Sequence, residues 1–168
     1  KKEGAAGKTH SWHVPYDVLP YTQTKEENMA DPLPNSGDPE NDDFLSGPNI
    51  GESVPTFTLP NQWGEPVTYE PNATHQSMIL FHRSADWWGY CKVQLVELQD
   101  KLSYFDQNDI HPYAISYDSV ETLTVFAEKH NITYPILSDV NSEVIRAFDI
   151  FNHLVPKDHR WYGVPFPG

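Results

Sequence analysis

The feature that most constrains the fold is the order of the apolar segments after residue 50. Residues 78–81 form a continuous apolar run, as expected of a strand that is covered on both faces. Apolar residues at three-to-four spacing between 93 and 105 predict a helix, and 110–116 predict a second buried strand. This order favours an α/β fold, in which a mainly parallel sheet with right-handed crossovers carries helices on both faces.

The segments on either side fit the same layout. Residues 54–59 alternate between apolar and polar, turn residues follow at 60–65, and 67–69 complete a predicted β-hairpin. A second amphipathic helix is predicted over 119–130, with Ser119 as its cap and three residues facing inward: Leu123, Phe126 and Ala127. A short strand at 134–137 and a helix at 140–148 come next.

Residues 1–49 differ in composition from the rest of the chain. They contain six prolines and nine acidic residues against four lysines, and 30–47 is a series of turn residues without helical or strand periodicity. We expect an irregular, Pro-rich acidic extension over 1–49 and a folded domain over 50–168. A disordered extension is one interpretation. The other is an arm that binds a protein partner or a second copy of this chain.

The charge of the chain excludes some partners. Lys and Arg number 11 against 24 for Asp and Glu, a net charge of −13, which would repel nucleic acid and anionic membranes. No apolar run approaches the roughly 18 residues of a membrane span, and no signal peptide is evident, so we expect a soluble protein. The one cysteine, Cys91, excludes an intrachain disulfide and a cysteine-rich zinc site.

Three stretches resemble the redoxins, the thioredoxin-fold proteins grouped with alkyl hydroperoxide reductase and thiol-specific antioxidants. Residues 50–67 resemble the family's first hairpin, written G-x-x-x-P-x-F-x-L-x-x-x-x-G-x-x-V. Residues 81–99 resemble its active-site strand, loop and helix, and 162–168 resemble the approach to its next strand. The resemblance implies a thioredoxin-like fold whose last strands are missing from this sequence. We therefore expect a fragment of a longer chain, or a second chain that supplies these elements.

The site departs from both motifs of the family. Thioredoxin-type members carry Trp-Cys-x-x-Cys, and here Trp87-Trp88-Gly89-Tyr90-Cys91 has Trp88 in place of the first cysteine. Peroxiredoxins carry Pro-x-x-x-Thr-x-x-Cys, and here Ser84 replaces the proline and Trp88 the threonine, while Cys91 stands at the peroxidatic position. Pro167 stands where the peroxidase arginine would fall and resembles the cis-proline of thioredoxins. The resemblance implies that the site consists of Cys91, Trp88 and Pro167.

The state of Cys91 has two interpretations. A position in the first turns of a helix favours the thiolate, and Arg83 and Lys92 would add positive potential, whereas Asp86 would oppose it. Burial beneath Trp88 would instead raise the pKa and leave the thiol inert. Trp88 itself would fill the substrate groove or contact a partner. A further hypothesis is that the natural protein carries selenocysteine at position 88, and the codon at this position would test it. His82 is expected to be a hydrogen-bonded histidine at the end of a strand.

Two functions follow from the resemblance. The first is a thiol-dependent oxidoreductase that reduces peroxides or disulfides and draws on an external thiol reductant, since one cysteine cannot form an intrachain disulfide. The second is a catalytically inactive redoxin-fold module that acts in binding or assembly. Neither requires a cofactor, and no metal site is predicted, because His10 and His13 lack a third ligand nearby.

Overall fold

The computed structural model describes residues 47–71 and 75–166. The acidic extension lies outside this range except for Gly47, Pro48 and Asn49 at its end, so its predicted irregularity and partner role stay predictions. The chain follows a thioredoxin-like α/β plan, with an N-terminal hairpin and a parallel three-stranded sheet with helices. No helix in this part of the chain is long and apolar enough to cross a membrane.

The predicted hairpin consists of β1 (Phe57–Pro60) and β2 (Pro66–Tyr69), which pair in antiparallel register. The turn depends on Asn61, whose Oδ1 accepts hydrogen bonds from the backbone N–H of Trp63 and Glu65. Gly64 completes the turn at φ 78°, a conformation that a side chain disfavours. On the inner face of the hairpin, Phe57 stacks on Tyr69 with ring centroids 5.1 Å apart.

The sheet has the order β3-β4-β5 and is parallel throughout. Its strands are β3 (Gln76–Phe81), β4 (Ile110–Ser116) and β5 (Ile136–Ser138). Thus β4 is central, and β3 is an edge strand of the sheet in the described ranges. The predicted strand at 134–137 begins two residues later than expected, at Ile136, and the Gln62 side chain instead of a strand bonds to the Tyr134 carbonyl and the Ile136 N–H.

Two apolar clusters cover the two faces of the sheet. Alternation along β4 and β5 sends Ala114 and Ile136 to one face and Ile115 and Leu137 to the other. The first face packs against α1 (Gly89–Asp100) and α3 (Val120–His130). The second packs against the hairpin and α4 (Glu143–Ala147). Helices on both faces were predicted, and the arrangement confirms this.

The predicted helix over 93–105 is divided in the structure. α1 ends at Asp100, and α2 (Leu102–Gln107) follows after Lys101, whose N–H bonds to the carbonyl of Leu98 in a tightened turn. The break keeps Leu102 and Phe105 against the same cluster that buries the apolar face of α1. Apolar spacing alone therefore predicted the buried face but not the interruption.

The helix α3 matches its prediction closely. The Ser119 hydroxyl accepts a hydrogen bond from the N–H of Thr122 and so caps the first turn, and the three predicted inward residues are buried. The helix predicted over 140–148 shortens to α4, because the Asp139 carboxylate accepts the N–H groups of Glu143 and Ile145 and fixes the helix start there.

Candidate active site

The candidate site is the loop of residues 82–88, which joins the carboxyl end of β3 to the amino end of α1. Cys91 is the third residue of α1 and is 7% exposed. Trp88 precedes the helix as its N-cap residue, and its carbonyl accepts the N–H of Lys92. Cys91 therefore lies in the first helical turn at the tip of a strand, as the sequence predicted, although β3 is not the middle strand of the described sheet.

The Cys91 sulfur is surrounded by groups that favour an anion. The backbone N–H groups of Arg83 and Ser84 and the positive charge of Arg83 favour the thiolate. Burial acts in the opposite direction and is the largest effect, so the pKa of Cys91 is raised above its ordinary value, with a small further contribution from the negative charge of Asp118. Both sequence-based interpretations therefore have a physical basis here, and burial is the stronger influence on the pKa.

The Trp88 side chain contacts Arg83, another residue of the same loop. The half-buried indole lies under the Arg83 guanidinium, whose Cζ is 4.7 Å from the ring centroid, and its edge approaches Trp87 at 5.6 Å. Arg83 is itself only 7% exposed, and burial lowers its pKa. Arg83 thus contacts Trp88 through its side chain, while its backbone N–H and its positive charge favour the Cys91 thiolate.

Trp87 is fixed by aromatic contacts from the far end of the described chain. Its ring stacks on Trp161 with centroids 4.7 Å apart, and its Nε1–H donates to the hydroxyl of Tyr117 at 2.9 Å. Burial raises the pKa of Tyr117 to about 12, so this hydroxyl is protonated at neutral pH. Trp87 therefore packs against Trp161 and also makes a hydrogen bond that the sequence did not indicate.

A buried carboxylate that sequence reasoning missed holds the loop in place. Asp118 follows β4, and its oxygens accept the hydroxyl of Ser84 at 2.8 Å, the N–H of Ala85 at 2.7 Å and the hydroxyl of Ser116 at 2.8 Å. Burial raises the pKa of Asp118, partly offset by these hydrogen bonds. The sequence feature that could have identified Asp118 is a cluster of polar residues at the carboxyl end of a buried strand, where parallel sheets place their ligand-binding and active sites.

His82 differs from its expected state. It is buried, and neither ring nitrogen has a hydrogen-bond partner among the described residues. Desolvation lowers its pKa to about 3, so the imidazole is neutral. The expectation of a hydrogen-bonded histidine at the strand end was wrong, because the ring is enclosed where no polar group of residues 47–71 or 75–166 reaches it.

A cleft of about 380 Å³ adjoins the loop between α1 and α3. Ala85 and Asp86 line it on the loop side, and Phe126 provides an apolar wall. Lys92 and Lys129 contribute positive charge to its lining, and Asp86 and Glu121 contribute negative charge. Pro167, the third predicted site residue, lies outside the described residues, so its place beside Cys91 stays a prediction.

Comparisons with known proteins agree with the fold. Residues 50–167 match the AhpC/TSA family. A putative peroxiredoxin of Mycobacterium tuberculosis is 30% identical over 101 residues, and the peroxiredoxin Bcp of Escherichia coli is 31% identical over 101 residues. Each alignment covers 60% of this chain and 64% of the relative, so the chain spans less than two thirds of these relatives.

A solved structure is similar as well. The peroxidoxin BcpB of Mycobacterium tuberculosis superposes with a TM-score of 0.58 at 23% identity, over 73% of each chain. At this identity the likeness shows the shared fold alone. The resemblance to thioredoxin-fold redoxins that the sequence motifs carried is confirmed by the family match and this structure together.

Proposed function

Because the chain belongs to the AhpC/TSA family, we propose that it reduces hydroperoxides, with Cys91 as the nucleophile and an external thiol as the reductant. The observation that carries the proposal is the environment of the Cys91 sulfur. The backbone N–H groups of Arg83 and Ser84 and the charge of the buried Arg83 side chain all favour the thiolate. Such donors stabilise a thiolate and the negative charge that develops during attack on a peroxide.

The reaction begins with attack of the Cys91 thiolate on one peroxide oxygen. An S–O bond forms, the O–O bond breaks, and the leaving alkoxide takes a proton to become the alcohol, so that the thiolate is oxidised to a sulfenic acid. One external thiol then forms a mixed disulfide with Cys91 and releases water. A second thiol displaces Cys91 as the thiolate and leaves as the disulfide. The external thiols are needed because the 168 residues contain no second cysteine.

Trp88 limits this chemistry in our proposal. It occupies the place of the family's threonine or first cysteine, so it offers neither a hydroxyl to the peroxide nor a thiol to Cys91. Its ring contacts the Arg83 guanidinium and so occupies one face of the cation that favours the Cys91 thiolate. Together with the raised pKa of Cys91, this predicts slow peroxide reduction at neutral pH.

A second candidate, the inactive redoxin-fold module, is favoured by one observation. Cys91 is buried, and that burial outweighs the groups that favour its ionisation. In this case the cysteine is a packing residue, and the loop with its aromatic side chains serves binding or assembly.

Trapping of the sulfenic acid separates the two candidates. The reduced full chain is treated with cumene hydroperoxide or hydrogen peroxide in the presence of dimedone, and the adduct is located by peptide mass spectrometry. We expect one adduct at Cys91 in the folded protein and none in Cys91→Ser. Adduct formation that begins only in denaturant would reject the peroxidase and support the module.

The substitution Trp88→Thr tests the role of Trp88. It restores the threonine of the family motif and frees the Arg83 guanidinium, so we expect oxidation of Cys91 to accelerate. Trp63→Thr is the matched control, because Trp63 lies exposed in the hairpin turn away from the loop. Equal rates in wild type and Trp88→Thr would contradict the limiting role of Trp88.

A further inference from the structure

The amino ends of β3 and β4 bring two histidines and a carboxylate together. Gln76 pairs with Ile110 and Ser77 with His111, so His75 and Asp109, the residues just before the two strands, lie next to each other at this end of the sheet. A hydrogen bond from the N–H of Gln76 to the carbonyl of Asp109 extends this alignment to the first residues of both strands. His75, Asp109 and His111 therefore meet on one exposed surface.

The side chains of these residues converge closely. One potential ligand atom from each residue lies within 4.8 Å of the other two. The two imidazoles are stacked almost in parallel, with centroids 4.8 Å apart and an interplanar angle of 4°. His111 Nε2 is 3.7 Å from Asp109 Oδ1. Small adjustments of side-chain torsions would bring all three atoms onto one ion.

We propose that His75, Asp109 and His111 form a binding site for a divalent transition metal of the zinc class. Two imidazoles and one carboxylate are the ligands that Zn²⁺ takes together with a water in a four-coordinate site. Exposure of all three residues leaves room for that water. The net charge of −13 raises the local concentration of cations around the chain. The sequence predicted no metal site, since these residues meet only through strand pairing.

The site lies apart from Cys91. It is at the amino end of β3, whereas the loop that leads to Cys91 leaves the carboxyl end, and a six-residue strand spans about 20 Å. The metal would join β3 to β4 across the surface at that end. This role does not depend on the proposed peroxidase activity, so failure of either proposal leaves the other standing.

Titration of the metal-free full chain with Zn²⁺ tests the proposal. Calorimetry gives the affinity, and NMR gives the site through the imidazole signals of His75 and His111. We expect stoichiometric binding with changes in both imidazoles, and at least about a tenfold weaker affinity in His75→Gln and in His111→Gln, because even second-shell changes cost 10- to 100-fold. Bound Zn²⁺ should also raise the Tm of the wild type more than that of the variants.

Controls separate this site from other histidines and from misfolding. Asp109→Asn removes the charge yet tolerates the left-handed backbone of this position, at φ 53°, so the protein should fold and bind more weakly. His153→Gln, which alters an exposed histidine outside the cluster, and a His10→Gln/His13→Gln double variant should retain the site. Unchanged affinity in His111→Gln and His75→Gln, or no Zn²⁺ binding by the wild type at millimolar concentration, would overturn the proposal.

Discussion

The buried imidazole of His82 makes the stability of the protein depend on pH in a way that one substitution removes. The ring is neutral when folded, because desolvation lowers its pKa from 6.5 to about 3. In the unfolded chain the same ring titrates near its ordinary value. Between these two values the unfolded state binds one more proton than the folded state, so the free energy of unfolding falls as the pH falls.

The magnitude follows from the two pKa values. Each pH unit within this interval lowers the free energy of unfolding by about 1.4 kcal/mol, which amounts to about 2 kcal/mol between pH 7 and pH 5. The contribution of neutral His82 is thus present above pH 6.5 and is lost as the pH falls toward about 3. His82→Leu removes the titrating group, and His82→Gln does so while keeping a polar side chain.

Urea unfolding at pH 7, 6 and 5 measures the effect as a difference between proteins. The raised pKa values of Asp118 and Asp139 make the free energy of unfolding depend on pH in the opposite direction. Wild type and the His82 variants share both carboxyl groups, so this effect cancels in the comparison. We expect wild type to lose about 2 kcal/mol more than either His82 variant between pH 7 and pH 5. His153→Gln, a change at an exposed histidine, should behave as wild type. Equal pH dependence in wild type and both His82 variants would refute the reasoning.

Three further substitutions test the local structure by urea unfolding at neutral pH. Asp118→Ala leaves the buried N–H of Ala85 without its acceptor and should lower the free energy of unfolding by about 2–4 kcal/mol. Asp118→Asn should lower it clearly less, and equal losses would show that the hydrogen bonds do not hold the loop. Gly163→Ala should cost about 1–3 kcal/mol, because φ is 118° and a Cβ would lie 3.0 Å from Ser142 Oγ; a neutral result would refute the predicted strain. Asn131 ends α3 at φ 53°, so Asn131→Ala should lower the free energy of unfolding by about 1 kcal/mol, whereas Asn131→Gly should not lower it. A larger loss in Asn131→Gly than in Asn131→Ala would be inconsistent with a left-handed cap.

The fold could be predicted because its signals are local. Strand and helix periods, the Ser119 cap and the hairpin turn all follow from neighbouring residues, and each is present in the structure. The errors concern the residues at which helices begin and end, which hydrophobic periodicity does not specify. Lys101 interrupts the helix predicted over 93–105 while the buried face continues, and the Asp139 carboxylate sets a later start for α4.

The site could be predicted only in part. The placement of Cys91 and Trp88 on one loop and helix could be predicted because a motif specifies it. The role of Asp118 could not, nor could the ring of His82, which has no hydrogen-bond partner among residues 47–71 and 75–166, since hydrogen bonding between separate strands and loops depends on packing. The cluster of His75 and His111 depends on the register of β3 against β4, which no short pattern encodes.

The most direct test of the central claim is the reaction of Cys91 with a hydroperoxide in the folded wild-type chain, followed as dimedone-trapped sulfenic acid across a range of pH. We expect an adduct at Cys91 whose rate of formation rises with pH and reaches its midpoint above the ordinary pKa of a thiol, because burial raises the pKa of Cys91 while the amides of Arg83 and Ser84 still favour the thiolate. A thiol that forms no adduct at any pH until the protein unfolds would contradict it.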